Sequence, residues 1–156
     1  MSAVVITGST KGIGLGLAES FLKKGHRVCI SGRSEESCRE ALAHIRARNP
    51  KIKASDLIAQ TCETANYEQV QTLWNHADEH FGQVDIWINN AGLARTSWSI
   101  LDIPQTEIEA MISTNMLGTI NGSRVAAAGM RTQTSRGKIF NILGGGSDGE
   151  YFPGMG

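Results

Sequence analysis

The sequence has no excess of either charge. Lys plus Arg number 15 and Asp plus Glu number 15, so the balance gives no support to a nucleic acid or an anionic membrane surface as partner. Cysteine is scarce: Cys29, Cys38 and Cys62 are an odd number with no CxxC pair. That speaks against a disulfide framework or a thiolate metal site and for a reducing compartment, the cytoplasm by default. No apolar run approaches the ~18 residues of a membrane-spanning helix. The first apolar segment starts at Ala3, which leaves no room for a signal or transit peptide. The four histidines are scattered; His76 and His80 share helical spacing, but no HExxH pattern or third ligand joins them, and a solvated helix face is expected.

What is present suits one globular domain. The chain has 156 residues, 40% hydrophobic and 19% charged, enough to bury a sizeable core. Ala3–Thr7 reads as a buried strand. A helix follows from Ile13 to Lys24, with Ile13, Leu17, Phe21 and Leu22 on one face and Gly25 as its stop. Arg27–Ser31 is a second strand, and Ser34 is placed to cap a helix that runs to about Arg48. A weak strand over Leu57–Thr61 precedes a helix from Tyr67 to Phe81, stopped by Gly82. Val84–Asn89 is a fourth strand. A long helix from Glu107 to about Met130 is interrupted in composition by Gly118 and Gly122, and Lys138–Leu143 is a fifth strand. Strands alternating with helices predict an α/β fold: a Rossmann-like, doubly wound parallel sheet covered on both faces. Trp74 and Trp87 fall within apolar patterns and belong in its core.

The segment Thr7-Gly8-Ser9-Thr10-Lys11-Gly12-Ile13-Gly14 joins the first strand to the first helix. Glycines at such a place allow a tight turn, let backbone approach a pyrophosphate and let the helix pack close to the strand. The helix start then offers free N–H groups and a positive dipole end to the phosphates. Readers of NAD place an acid about 20 residues on, against the ribose 2′-OH. Here the second strand ends Ser31-Gly32-Arg33, followed by Ser34. With the acid missing, Arg33 and Lys11 are suited to a 2′-phosphate, and NADP(H) is the expected cofactor.

With these elements in place the sequence resembles the short-chain dehydrogenase/reductase family. TGxxxGxG at Thr7–Gly14, Asn89-Asn90-Ala91-Gly92 after the fourth strand, and Asn115 in Ser113-Thr114-Asn115-Met116-Leu117-Gly118 occur in the family's order and on its elements. ITGSTKGIG, DIWINNAG and KIFNILGGGSDG are most similar to the family's chlorophyll(ide) b reductase branch. The resemblance implies hydride transfer between NADP(H) and a carbonyl, with the 7-formyl group of chlorophyll(ide) b, a tetrapyrrole, as substrate. A generic reductase of ketones or 3-oxoacyl substrates and a non-catalytic NADPH-binding module remain the alternatives. It implies contacts to the cofactor from Thr7, Gly8, Ser9, Lys11, Gly12, Ile13, Gly14, Arg33, Ser34, Asn90, Ala91 and Gly92. Glu63 aligns with an acid that contacts adenine in the family. It further implies a homo-oligomer at full length, and a plastid location if the source is a photosynthetic eukaryote.

The family's chemistry uses a tyrosine as general acid, a lysine that lowers its pKa, a serine that polarises the carbonyl and an asparagine that orders a water relay. Such donors meet the negative charge that hydride addition builds on oxygen. Asn115 matches the asparagine and Ser147 is the candidate serine; Leu143-Gly144 stand where most family members carry two adjacent serines. The tyrosine–lysine pair is missing. Tyr67 lies far upstream, Tyr151 is too close to Ser147, and Met155 stands where its lysine would follow. By register with the branch, the tyrosine would fall just beyond Gly156. Residues 1–156 are therefore expected to be an N-terminal fragment, a cofactor domain cut before its Tyr-x-x-x-Lys segment. Trp98, just after Asn89–Gly92, lies where the family's substrate loops begin.

Overall fold

A computed structural model of the chain describes residues 1–94, 99 and 101–144. Strand β1 (Ala3–Ile6) is followed by α1 (Gly12–Lys23), β2 (Arg27–Gly32), α2 (Glu35–Arg48), β3 (Leu57–Thr61), α3 (Tyr67–Phe81) and β4 (Ile86–Asn89). A long helix follows in three parts: α4 (Gln105–Met111), a widened π turn (Ile112–Leu117) and α5 (Gly118–Met130). Strand β5 (Lys138–Asn141) completes a five-stranded parallel sheet of order β3-β2-β1-β4-β5.

Every residue of β1 is buried, as a central parallel strand covered on both faces requires. Its side chains alternate between two cores. Ala3 and Val5 join Cys29, Val70, Leu73, Trp74, Trp87 and Val125 under α3 and α5. Val4 and Ile6 join Ala18, Leu22, Val28, Ile30, Ala41 and Ile45 under α1 and α2. The amphipathic pattern of α3 buries Val70, Leu73, Trp74, Ala77 and Phe81, the spacing of one helical face. Trp74 and Trp87 meet with ring centroids 6.1 Å apart, both in the core as expected. The left-handed Gly82 ends α3, and Gly25 stands just past α1.

The structure departs from expectation at a few places. Ile13 does not belong to the buried face of α1. It is 68% exposed, and Gly14, Ala18 and Leu22 are buried instead. Small residues let α1 lie close to the sheet, which turns Ile13 outward at the helix start. The long helix runs through Gly118 and Gly122 to Met130, as expected. The would-be Cβ of Gly118 lies 2.5 Å from Thr64 Oγ1, and that of Gly122 would strike Asn89 Oδ1. At these glycines, as at Gly129 against Trp74, the helix packs too closely for a side chain. The helix also starts earlier than expected, at Gln105, and β4 and β5 are shorter than the apolar runs that announced them.

Candidate functional site

The chain crosses over on both sides of β1, so β1 lies beside β2 and β4. In open α/β sheets a ligand binds at the carboxyl ends of the strands where the strand order reverses. The loop after β1 and the loop after β4 meet at that place.

Thr7 and Asn90 stitch the two loops together. The Thr7 hydroxyl accepts the N–H groups of Asn90 and Ala91, each at 3.0 Å. Asn90 Nδ2 donates to the carbonyls of Thr7 at 2.9 Å and Gly8 at 3.0 Å. Gly8 lies at φ 61°, and a Cβ there would stand 2.7 Å from Ala91 Cα. Gly14 is just as confined: its Cβ would meet Asn90 Nδ2 at 2.5 Å and the Gly8 carbonyl at 2.7 Å. The glycine spacing is thus a demand of the loop-to-loop contact as well as of a ligand.

Ser9 has a different place from the one its motif position suggests. It is fully buried. Its hydroxyl donates to the Ile6 carbonyl at 2.6 Å and accepts the Ser31 N–H at 2.9 Å, while its own N–H donates to the Ser31 carbonyl at 2.8 Å. Ser9 anchors the loop to β1 and β2 and leaves the open side to its neighbours. Lys11, Gly12 and Ile13 are exposed there. No side chain caps α1, and no acid sits in its first turn. By contrast α2 and α3 are capped by the side chains of Ser34 and Asn66. The first amides of α1 therefore keep their partial positive charge for whatever lies over the loop.

At the end of β2, Gly32 is packed against Thr10, and Arg33 is exposed. Ser34 accepts the Ser37 N–H at 3.2 Å as the cap of α2, so its hydroxyl shares a capping role with any ligand contact. After β3, Glu63 is half-buried. Its carboxylate accepts the Ala65 N–H at 3.5 Å, and its N–H donates to Gln69 Oε1 at 2.8 Å. The acid thus folds back on its own loop.

Asn115 lies within the π turn, where the widened backbone re-aims side chains. Its amide grips the Leu93 backbone at both ends: Oδ1 accepts the Leu93 N–H at 2.7 Å, and Nδ2 donates to the Leu93 carbonyl at 2.8 Å. Thr119 Oγ1 donates to the Asn115 carbonyl at 2.8 Å. The side chain therefore holds the loop after Gly92 in place. Gly92 itself is exposed, with Asn115 Oδ1 3.8 Å from its would-be Cβ. Ser147, Tyr151 and Trp98 lie outside the described residues.

A polar cluster that sequence reasoning missed closes the seam between β4, β5 and α5. Asn89 Nδ2 donates to Asn141 Oδ1 at 2.8 Å and to Ser123 Oγ at 3.0 Å, and Asn89 Oδ1 accepts Trp87 Nε1–H at 2.8 Å. Every polar atom of the Asn89 side chain is satisfied, and the cluster fixes how the ends of the two strands stand beside each other. Polar residues recurring in otherwise apolar strands were the available signal.

The cysteines are buried and unbridged. Burial, reinforced by Glu63 and Cys38, pushes the Cys62 thiol up to about 12. Burial likewise raises the Cys29 and Cys38 thiols. All three stay protonated near neutral pH and are poor nucleophiles. Among the described residues no group of three His, Cys, Asp or Glu side chains converges to hold a metal ion. No described helix is long and apolar enough to cross a membrane.

A glycine loop that stitches β1 to β4, an uncapped α1 and the Asn115 clamp together make the frame of a Rossmann-like domain at the switch point of its sheet. The chain belongs to the short chain dehydrogenase family, whose sequence model matches residues 2–152. It is 39% identical over 153 residues to the chloroplastic chlorophyll(ide) b reductase NOL of Oryza sativa, covering 96% of this chain and 43% of that one. It is 31% identical over 129 residues to a 3alpha-hydroxysteroid dehydrogenase of Mediterraneibacter gnavus, covering 83% of this chain and 50% of that one. The chain spans 32–43% of the length of the four plant chlorophyll(ide) b reductases it matches. Among solved structures, ElxO with NADP bound superposes with a TM-score of 0.78 at 31% identity, over 90% of this chain and 54% of that one. A 3-oxoacyl reductase from Bacillus thuringiensis gives 0.81 at 25% identity, over 96% and 60%. The resemblance to chlorophyll(ide) b reductases and the Rossmann-like sheet both stand, and family membership carries nicotinamide cofactor binding with it.

Proposed function

We propose that this chain is the NADP(H)-binding part of a reductase that delivers hydride to a carbonyl, with the 7-formyl group of chlorophyll(ide) b as substrate. The observation that carries the cofactor reading is the mouth of the β1 loop. Gly8 and Gly14 leave room for no side chain, α1 has no cap of its own, and the end of β2 presents Arg33 where an NAD reader would present an acid. These residues fit a dinucleotide. The first amides of α1 and Lys11 would hold its phosphates. Arg33, with Ser34 beside it, would take the 2′-phosphate, and Glu63 would lie under the adenine. When bound, the nicotinamide supplies the hydride. The chain's own residues bind and orient it: Thr7 and Asn90 lock the two loops, and Ala91 and Gly92 form the floor beside the nicotinamide. Asn115 holds that floor and orders the proton relay, and Ser147 polarises the carbonyl.

The substrate reading is supported by the plant relatives, which are named for chlorophyll(ide) b. Their names also place them in chloroplasts, which supports a plastid over a cytoplasmic location if the source is photosynthetic. Ile112, Met116 and Ile120 stand 47–61% exposed at one-turn spacing along the long helix. That stripe supports a homo-oligomer of the full-length protein.

The test is turnover by the natural full-length protein with NADPH, offered chlorophyllide b beside a simple ketone and a 3-oxoacyl thioester. NADPH oxidation with chlorophyllide b, coupled to loss of its formyl absorption, is expected to exceed that with the other two. Preference for the ketone or thioester would replace the substrate reading. NADPH binding without turnover of any carbonyl would leave a binding module.

A further inference from the structure

Asn121 sits within α5 and is 4% exposed. Asparagine is a poor residue for a helix interior, because its amide competes for backbone groups. Its burial there needs a partner on another element. That partner is the loop between β3 and α3: Asn121 Nδ2 donates to the Thr64 carbonyl at 3.0 Å and to the Ala65 carbonyl at 3.1 Å. A turn earlier, Gly118 brings the helix backbone against Thr64. The same loop is registered to β2, since the Cys62 N–H donates to the Gly32 carbonyl at 2.8 Å. At the other end of this stretch of helix, Asn115 grips Leu93 after β4.

The strand order gives these two clamps different work. A dinucleotide with its pyrophosphate over the start of α1 and its adenosine ribose at the end of β2 runs its adenine outward over β3. Its nicotinamide then lies over β4. The loop held by Asn121 faces the first half, and the loop held by Asn115 faces the second. We propose that Asn121 is a positioning residue for the adenine half of the cofactor. It holds Glu63–Ala65 against the end of β2, while Asn115 on the same helix braces the nicotinamide half. This inference rests on the NADP(H) reading above.

Two half-cofactors, 2′,5′-ADP and reduced nicotinamide mononucleotide, separate the halves. The natural full-length protein is compared with Asn121→Asp, which keeps the shape but replaces the donor with an acceptor facing two carbonyls. The dissociation constant of 2′,5′-ADP is expected to rise about tenfold, the size of one lost hydrogen-bonded clamp. That of the mononucleotide should stay within about twofold. Amides 63–66 of the ligand-free variant should exchange with deuterium faster than in the wild type, with the helix amides unchanged. Equal weakening of both probes, or unchanged 2′,5′-ADP binding, would overturn the proposal. If Asn121→Asp does not fold, Asn121→Ser shortens the side chain without adding charge and carries the same expectation. A wild-type protein that binds no NADPH sinks the cofactor reading and this inference together. Wild-type binding with no probe-selective loss sinks this inference alone.

Discussion

At Gly8 the backbone holds φ 61° with Ala91 Cα 2.7 Å from where a Cβ would stand. Gly8→Ala would add the left-handed penalty of about 1–2 kcal/mol and push the β1 and β4 loops apart. Chemical denaturation of the full-length protein should show a loss of at least that size, together with weaker NADPH binding. An unchanged midpoint would mean that the loops do not meet this closely. Motif spacing made Gly8, Gly14 and Asn90 legible in the sequence, because only backbone-permissive or bidentate residues serve there. It could not separate Ser9 from its neighbours. A serine in a glycine loop reads as a ligand contact, and only the fold shows its hydroxyl turned to Ile6 and Ser31. Ile13 misled for the opposite reason: an apolar side chain at a helix start reads as core, but the close seat of Gly14 and Ala18 turns it outward.

Among the elements, α3 and α5 show how far pattern alone carries. The bounds of β3 and α3 were legible from their apolar runs and the glycine stop at Gly82, and the fold adds the Asn66 cap. The long helix was harder. Its close-packing glycines answer to tertiary contacts with Thr64 and Asn89, and its π turn carries the Asn115 contact with Leu93, none of which local propensity encodes. Asn121 was missed for the same reason, although an asparagine inside a helix was itself a sign. The seam between α3 and the sheet is dominated by Trp74, which lies on Trp87 and against Gly129 of α5. Trp74→Ala is expected to cost about 3–5 kcal/mol in urea unfolding, since neither helix can close the gap without striking the sheet. A cost below about 1 kcal/mol would show that this core is loosely packed.

For the whole molecule, the features converge on one mouth at the carboxyl ends of β1, β2 and β4. Two buried cores fix the sheet, one long helix braces the loops on either side, and two exposed cations, Lys11 and Arg33, border the opening. The fold class and the place where the β1 and β4 loops meet were legible because strand–helix alternation and the glycine loop are local signals. The braces were not, because they join residues far apart in sequence. A net charge of zero hides the local arrangement at the mouth that would select a 2′-phosphate. The most direct measurement compares NADPH and NADH dissociation constants for the natural full-length protein and for Arg33→Ala. Tighter NADPH binding by about 10–100-fold is expected, as for one or two charge-assisted hydrogen bonds, with most of that preference lost in Arg33→Ala and NADH binding little changed. Equal affinity for the two cofactors, or a preference for NADPH that survives in Arg33→Ala, would contradict it.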